Sequence, residues 1–238
     1  ETTSTGITVT GAVNGIPFYT NANSMYTHDV SGTENSASAN TAYGFGAMDA
    51  ITTGDSNAAV GVNALGVLTT GSRNVAIGHA AGDNLVSGTD NVAVGYGALS
   101  TEDGHGKNVA IGAYTLVNQN AGADAYNVAV GYNSGINVST GTVNTIIGGL
   151  AGDALTTGAN NVALGTLALS SETGGGKNVA IGYGSLELLN FNDDGNNVAV
   201  GYIAGQRITT GVQNTVVGAQ AGDALTTGSF NVAIGYSA

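Results

Sequence analysis

The sequence predicts an all-β chain, a parallel β-roll or β-solenoid of about twelve 17-residue coils, two of them enlarged to 19. Three observations carry this expectation. An asparagine recurs at Asn40, Asn57, Asn74, Asn91, Asn108, Asn127, Asn144, Asn161, Asn178, Asn197, Asn214 and Asn231, in steps of 17 residues with two steps of 19. Four residues after each stands a glycine: Gly44, Gly61, Gly78, Gly95, Gly112, Gly131, Gly148, Gly165, Gly182, Gly201, Gly218 and Gly235. Between the two, apolar residues alternate with a small one, as in Asn74-Val75-Ala76-Ile77-Gly78. A fixed period of this size marks units that bury their apolar faces only against their neighbours, and period-two alternation marks a strand.

Composition agrees with a stack rather than a globule. Forty glycines against one proline and four phenylalanines leave little material for an ordinary core, so small residues must pack backbone against backbone. There is no cysteine, hence no disulfide staple. The formal charge is −12, with only Arg73, Lys107, Lys177 and Arg207 as cations. That excludes neutralising several phosphates, and with it nucleic acid and an anionic membrane surface. No apolar run is long enough to span a bilayer, so no membrane insertion is expected in this segment. The last unit stops at Ala238, eight residues in, so the chain reads as a piece of a longer protein.

Residues 1–39 lie outside the repeat and read as a lead-in or collar. Ile7-Thr8-Val9-Thr10 alternates, Asn14-Gly15 carries turn chemistry, and Ile16-Pro17-Phe18-Tyr19 suits an edge strand. Ser31 to Asn40 is a polar linker. Residues 40–238 form the repeat domain. In each coil the Val/Ile positions flanking the alanine are expected to fill the lumen, leaving an Ala/Gly face smooth enough for another chain to approach. The terminal glycine permits a bent corner, and the asparagines are expected to stack as an amide ladder. A second apolar element, such as Ala64-Leu65 with Leu68, reads as a second short strand, followed by a Thr/Ser-Gly corner such as Thr69-Thr70-Gly71 or Thr156-Thr157-Gly158.

A longer rhythm overlies the coils. Residues 74–143 match 144–213 without a gap, so four coils make a 70-residue unit. The enlarged coils, 108–126 and 178–196, recur within it. Their excess lies around Asn118, Gln119, Asn120 and Asp124 in one, and Asn190, Phe191, Asn192, Asp193 and Asp194 in the other. Insertions in a solenoid map to loops, often on the binding face, so these are the candidate contact loops.

Asn-Val-Ala-Ile-Gly-Tyr repeated down a Gly- and Ala-rich chain resembles the head repeats of trimeric autotransporter adhesins. It is still more similar to the longer repeats of phage tail fibres, and the likeness covers residues 40–238. The resemblance implies a left-handed parallel β-roll, three chains side by side, and a role in presenting an attachment surface. On that basis the expectation is a fibre or adhesion module of a virion tail, homotrimeric, whose partner is a host-surface carbohydrate or protein. The alternatives are a trimeric adhesin head on a bacterial cell surface and an ice- or lattice-binding solenoid, the latter resting on the Thr-Thr-Gly corners alone.

Candidate chemistry is sparse. His28, His79 and His105 have no second ligand at a spacing typical of zinc, so they read as structural or solvated, with no metal and no cofactor expected. Asp193-Asp194-Gly195-Asn196 lacks the later acidic ligands of a calcium loop and reads as a turn. Asp83, Asp153 and Asp223 share a column and read as corner caps. Tyr96, Tyr132, Tyr183, Tyr202 and Tyr236 share another and read as covers for the glycine corner. No nucleophile, base and orienting acid recur together, so no enzyme is expected.

Overall fold

The computed structural model describes residues 36–238 and the backbone of 19–21 and 24–26. The strand expected at Ile7–Thr10, most of the one at Ile16–Tyr19, residues 31–35 of the linker and His28 lie outside the described residues. Strands β1 (Tyr19–Asn21) and β2 (Ser24–Tyr26) pair antiparallel, and β2 pairs parallel to the first repeat strand. The repeat then supplies one strand per coil: β3 (Thr41–Tyr43), β4 (Ala58–Val60), β5 (Val75–Ile77), β6 (Val92–Val94), β7 (Val109–Ile111), β8 (Val128–Val130), β9 (Thr145–Ile147), β10 (Val162–Leu164), β11 (Val179–Ile181), β12 (Val198–Val200), β13 (Thr215–Val217) and β14 (Val232–Ile234). They lie in one sheet in sequence order. From β3 to β14 every pairing is parallel and joins equivalent positions, Val75 to Val92 and Ala76 to Ala93. The all-β solenoid is therefore what the chain forms, and no helix occurs among the described residues. At about 4.8 Å per coil, twelve coils make a rod on the order of 55 Å long.

The inside and outside of the strands are the reverse of the expectation. Ala76, Ala110, Ala129, Ala163 and Ala180 are wholly buried, whereas Val75 is half-buried and Ile77 is 44% exposed. The reason is space. The opposite wall of the lumen is filled by Leu65, Leu68, Leu99, Leu116, Leu155 and Leu169, all 0–1% exposed, and little more than a methyl group fits against them from the strand. Ile146 and Val216 support this argument because they stand where the other strands have alanine. Ile146 faces Gly135 and Gly152, and Val216 faces Gly222, so the added volume on one wall is removed from the other.

The second apolar element is not a strand. Its residues form turns in which Leu65, Leu99, Leu116, Leu169 and Leu186 have φ of 49–56°, left-handed backbone that no strand tolerates. Their peptide groups bond from coil to coil, Leu65 N–H to the Ala81 carbonyl at 3.0 Å and Leu99 N–H to Thr115 at 3.0 Å. The backbone is thereby satisfied without a second sheet.

The asparagine column binds coil to coil, chiefly side chain to backbone. Each Oδ1 accepts the N–H of the next asparagine, as Asn144 does from Asn161 at 2.9 Å and Asn161 from Asn178 at 3.0 Å. Each Nδ2 typically donates to a corner carbonyl 14 residues on, Asn57 to Gly71 and Asn161 to Gly175, both at 2.9 Å. From Asn40 to Asn214 these side chains are at most 2% exposed, so the bonds are made away from competing water.

Candidate functional site

Three surface features and one buried pair distinguish this roll from a uniform rod. The first is the outward face of the sheet, where Val60, Ile77, Ile111 and Leu164 lie 39–44% exposed in one row. The second is the tyrosine column. Tyr96, Tyr132, Tyr183, Tyr202 and Tyr236 are exposed, and Tyr96, Tyr132, Tyr183 and Tyr202 each meet a ring of a neighbouring coil. His79 and Tyr96 lie 5.1 Å apart, Tyr96 and Tyr114 5.2 Å, and Tyr183 and Tyr202 5.6 Å. The His79–Tyr96 and Tyr183–Tyr202 contacts are stacked, whereas Tyr114 meets Tyr96 and Tyr132 edge to face.

The third feature is the pair of enlarged coils. In the first, Asn118 is exposed and donates from Nδ2 to the Ile136 carbonyl at 3.0 Å, and Asn120 N–H reaches Ser139 at 2.7 Å. Gln119 does not project: it is wholly buried, and its Oε1 accepts from Asn127 Nδ2 at 2.8 Å. Asp124 is half-buried and pairs with the Lys107 ammonium. In the second, Asn190, Asn192, Asp193 and Asp194 are exposed, with Asp194 paired to Lys177 at 2.5 Å. Phe191 does not project either, because its ring packs against the core. Gln119 stands eleven residues after Asn108, in the column where Leu68 and Leu85 follow Asn57 and Asn74, so it lines the lumen as an ordinary wall residue. Phe191 belongs to the lengthened stretch and packs inward, while Asn118, Asn190, Asn192 and Asp193 remain outward.

Length also leaves a mark on the ladder. Asn108 opens the first enlarged coil, and its Nδ2 is buried without a partner. Asn178 opens the second and turns its Nδ2 to Gly176, 3.1 Å away. The two added residues have moved the corner carbonyl that other asparagines use.

The buried pair is Glu102 and Glu172, equivalent positions of the 70-residue unit and both 0% exposed. The signal for them in the sequence is the register: each stands eleven residues after its asparagine, Asn91 or Asn161, in the column where Leu68 and Leu85 follow Asn57 and Asn74, although glutamate on a Gly-rich corner otherwise reads as a solvated residue. Burial raises the Glu172 carboxyl above its ordinary value, against the pull of peptide N–H groups from Gly175, Phe191, Thr173 and Gly174. Burial likewise raises Asp83 and Asp153. A carboxyl with a raised folded value adds stability that is full below its unfolded value and is lost as pH rises through the folded one. Asp90 and Asp124, held low by Arg73 and Lys107, add stability that is full above their ordinary 3.8 and is lost only below it, so they give no slope above pH 4.5. Thermal melts should therefore show a midpoint that falls as pH rises from 4.5 toward neutrality, with the slope reduced in Glu172→Gln. A midpoint that climbs over that interval contradicts the assignment.

Compared with known protein families, curated proteins and solved structures, the chain gives no match.

Proposed function

We propose that this chain is a fibre or adhesion module of the kind found in phage tails: a homotrimeric shaft on the outside of a virion that holds an attachment surface toward a host carbohydrate or protein. The observation that carries the reading is the exposed row Val60, Ile77, Ile111 and Leu164. A sheet face of mostly aliphatic residues in unbroken register along the rod is suited to burial against identical faces. The interface is thus assigned to the Val/Ile face and not to the alanines, which are inside. A charge of −12 per chain, −36 for three, then has to be distributed outward. The polar tips at Asn118, Asn120, Asn190, Asn192 and Asp193 are the proposed contact surface, and no catalytic role is assigned.

A trimeric adhesin head on a bacterial surface rests on the same face, and the neighbouring domains of the full gene product decide between the two. The lattice-binding alternative is less well supported. Thr52, Thr69, Thr156 and Thr209 donate their hydroxyls to carbonyls one coil on at 3.0–3.2 Å, so half of each Thr pair is engaged within the roll.

Light scattering of the purified chain should give three times the monomer mass of 23.2 kDa. Ile77→Glu with Ile111→Glu, both outward positions, should dissociate it with the coil fold retained by circular dichroism. A folded wild-type monomer at micromolar concentration ends the proposal.

A further inference from the structure

The 70-residue rhythm sets two versions of one corner in the same molecule. In the second, the Glu172 carboxylate is saturated by peptide groups: Oε1 accepts from Thr173 at 2.9 Å and Gly175 at 2.8 Å, and Oε2 from Phe191 at 3.1 Å. In the first, Glu102 is buried as deeply, yet Oε1 receives only the His105 N–H, at 3.2 Å, and Oε2 has no partner. Two substitutions within the corner accompany the change. Where the second has Thr173 and Gly175, the first has Asp103 and His105.

The imidazole does not repair the deficit by a hydrogen bond. His105 Nδ1 is itself buried without a partner and lies 3.6 Å from Glu102 Oε1. That is beyond the roughly 2.7–3.2 Å of an N–H···O bond. It is close to the separation of two ligands on one tetrahedral zinc, about 3.4 Å for metal–ligand bonds near 2.1 Å. One ligand atom from each of Glu102, Asp103 and His105 falls within 4.8 Å of the other two. Asp124 is not available to the group, being held by the Gly106 N–H at 3.2 Å and by Lys107. Asp103 is exposed and the His105 side chain is 33% exposed, so solvent and a dissolved ion reach the cluster.

We propose that Glu102, Asp103 and His105 form a zinc site, with Nδ1 of the neutral imidazole and one oxygen from each carboxylate as protein ligands and water in the remaining position. Three protein ligands and an open position is a regular zinc arrangement, and the two carboxylates balance the charge of the ion. The cation does for Glu102 what peptide N–H groups do for Glu172. It ties the corner immediately before the enlarged coil 108–126, on one 70-residue unit and not on the other.

The test is zinc titration of the chelator-treated, dialysed wild-type chain by calorimetry, with metal analysis and thermal melts. The expected result is about one zinc per chain and a midpoint raised by the ion. Asp103→Thr with His105→Gly, which copies the corner at 172–175 and so keeps a fold this molecule already makes, should weaken binding roughly 100-fold or more and abolish the zinc-dependent shift. Glu102→Gln, which keeps the side-chain shape, should also abolish the shift, whereas His79→Ala should bind as wild type does. No uptake by the wild type at about 100 μM zinc, or equal uptake by the double variant, overturns the site.

Discussion

Gly165→Ala is expected to destabilise the roll by about 3–5 kcal/mol, through two independent costs. Gly165 has φ of 136°, and a Cβ placed there would stand 2.5 Å from the Gly182 carbonyl oxygen and 2.6 Å from its carbon. Holding an L-residue in that backbone region costs about 1–3 kcal/mol. The overlap is with backbone of the next coil, which cannot swing aside as a side chain could, and overpacking costs about 1–3 kcal/mol more. Gly149 supplies the control, since a Cβ there meets nothing within 4 Å and its φ is ordinary; Gly149→Ala should stay within about 0.5 kcal/mol of wild type. Denaturant titration of both variants separates the cases. Equal stability would mean that the glycine column is not set by coil stacking.

The second large effect belongs to the asparagines and differs between them in a predictable way. Asn161→Ala removes the acceptor of the Asn178 N–H at 3.0 Å and the donor to Gly175 at 2.9 Å. Each buried group left unpaired costs about 1–3 kcal/mol, so a loss near 3 kcal/mol is expected. Asn108→Ala removes only one productive bond, the acceptor for Asn127 N–H at 3.1 Å, because the Asn108 amide donor already lacks a partner. It should therefore be the milder variant by about 1 kcal/mol. The same denaturant measurement decides it, and the reverse order would refute the coil-to-coil account of the ladder.

Much of this architecture was legible because the residues that fix it have few substitutes. Asn and Gly recur at columns where a buried amide and the absence of a Cβ are required, and a sequence shows such columns directly. Strand polarity was not legible. Alternation says that Val75 and Ile77 share a face opposite Ala76, but which face is inside depends on lumen width, and that is set by Leu65 and Leu85 on the other wall. Hydrophobicity alone ranked Val and Ile as interior, and the narrow lumen overrode it. The second apolar element was misjudged because left-handed turns here are built from leucines, which carry no turn signature. The residue before each asparagine is left-handed as well, at Arg73, Lys107, Tyr126 and Val143 with φ of 54–64°, again from residue types that give no warning. Tertiary bonding holds these positions, as when Val143 N–H meets the Ala125 carbonyl at 2.7 Å. At the candidate site, the register places Glu102 in the buried column of Leu68 and Leu85, but it does not show that Oε2 lacks a partner or that the His105 imidazole lies beside the carboxylate. Gln119 shares that column, so its burial was legible in the same way, whereas the inward turn of Phe191 was not, because a length difference between coils does not say which residue of the lengthened stretch fills the gap.

The strict order of the sheet, in which each repeat strand from β4 to β13 pairs only with the strand before it and the strand after it, governs how the rod answers mechanical load. Among the described residues, force applied along the axis meets no strand pairing that ties distant coils together, so a chain is expected to peel from an end, one coil at a time. Releasing 17 residues pays out roughly 58 Å of extended chain, about twelve times the length that the coil occupied in the rod. Each rupture then lengthens the tether greatly and lowers the tension on the coils still folded. A filament built this way yields in steps and dissipates a sudden pull.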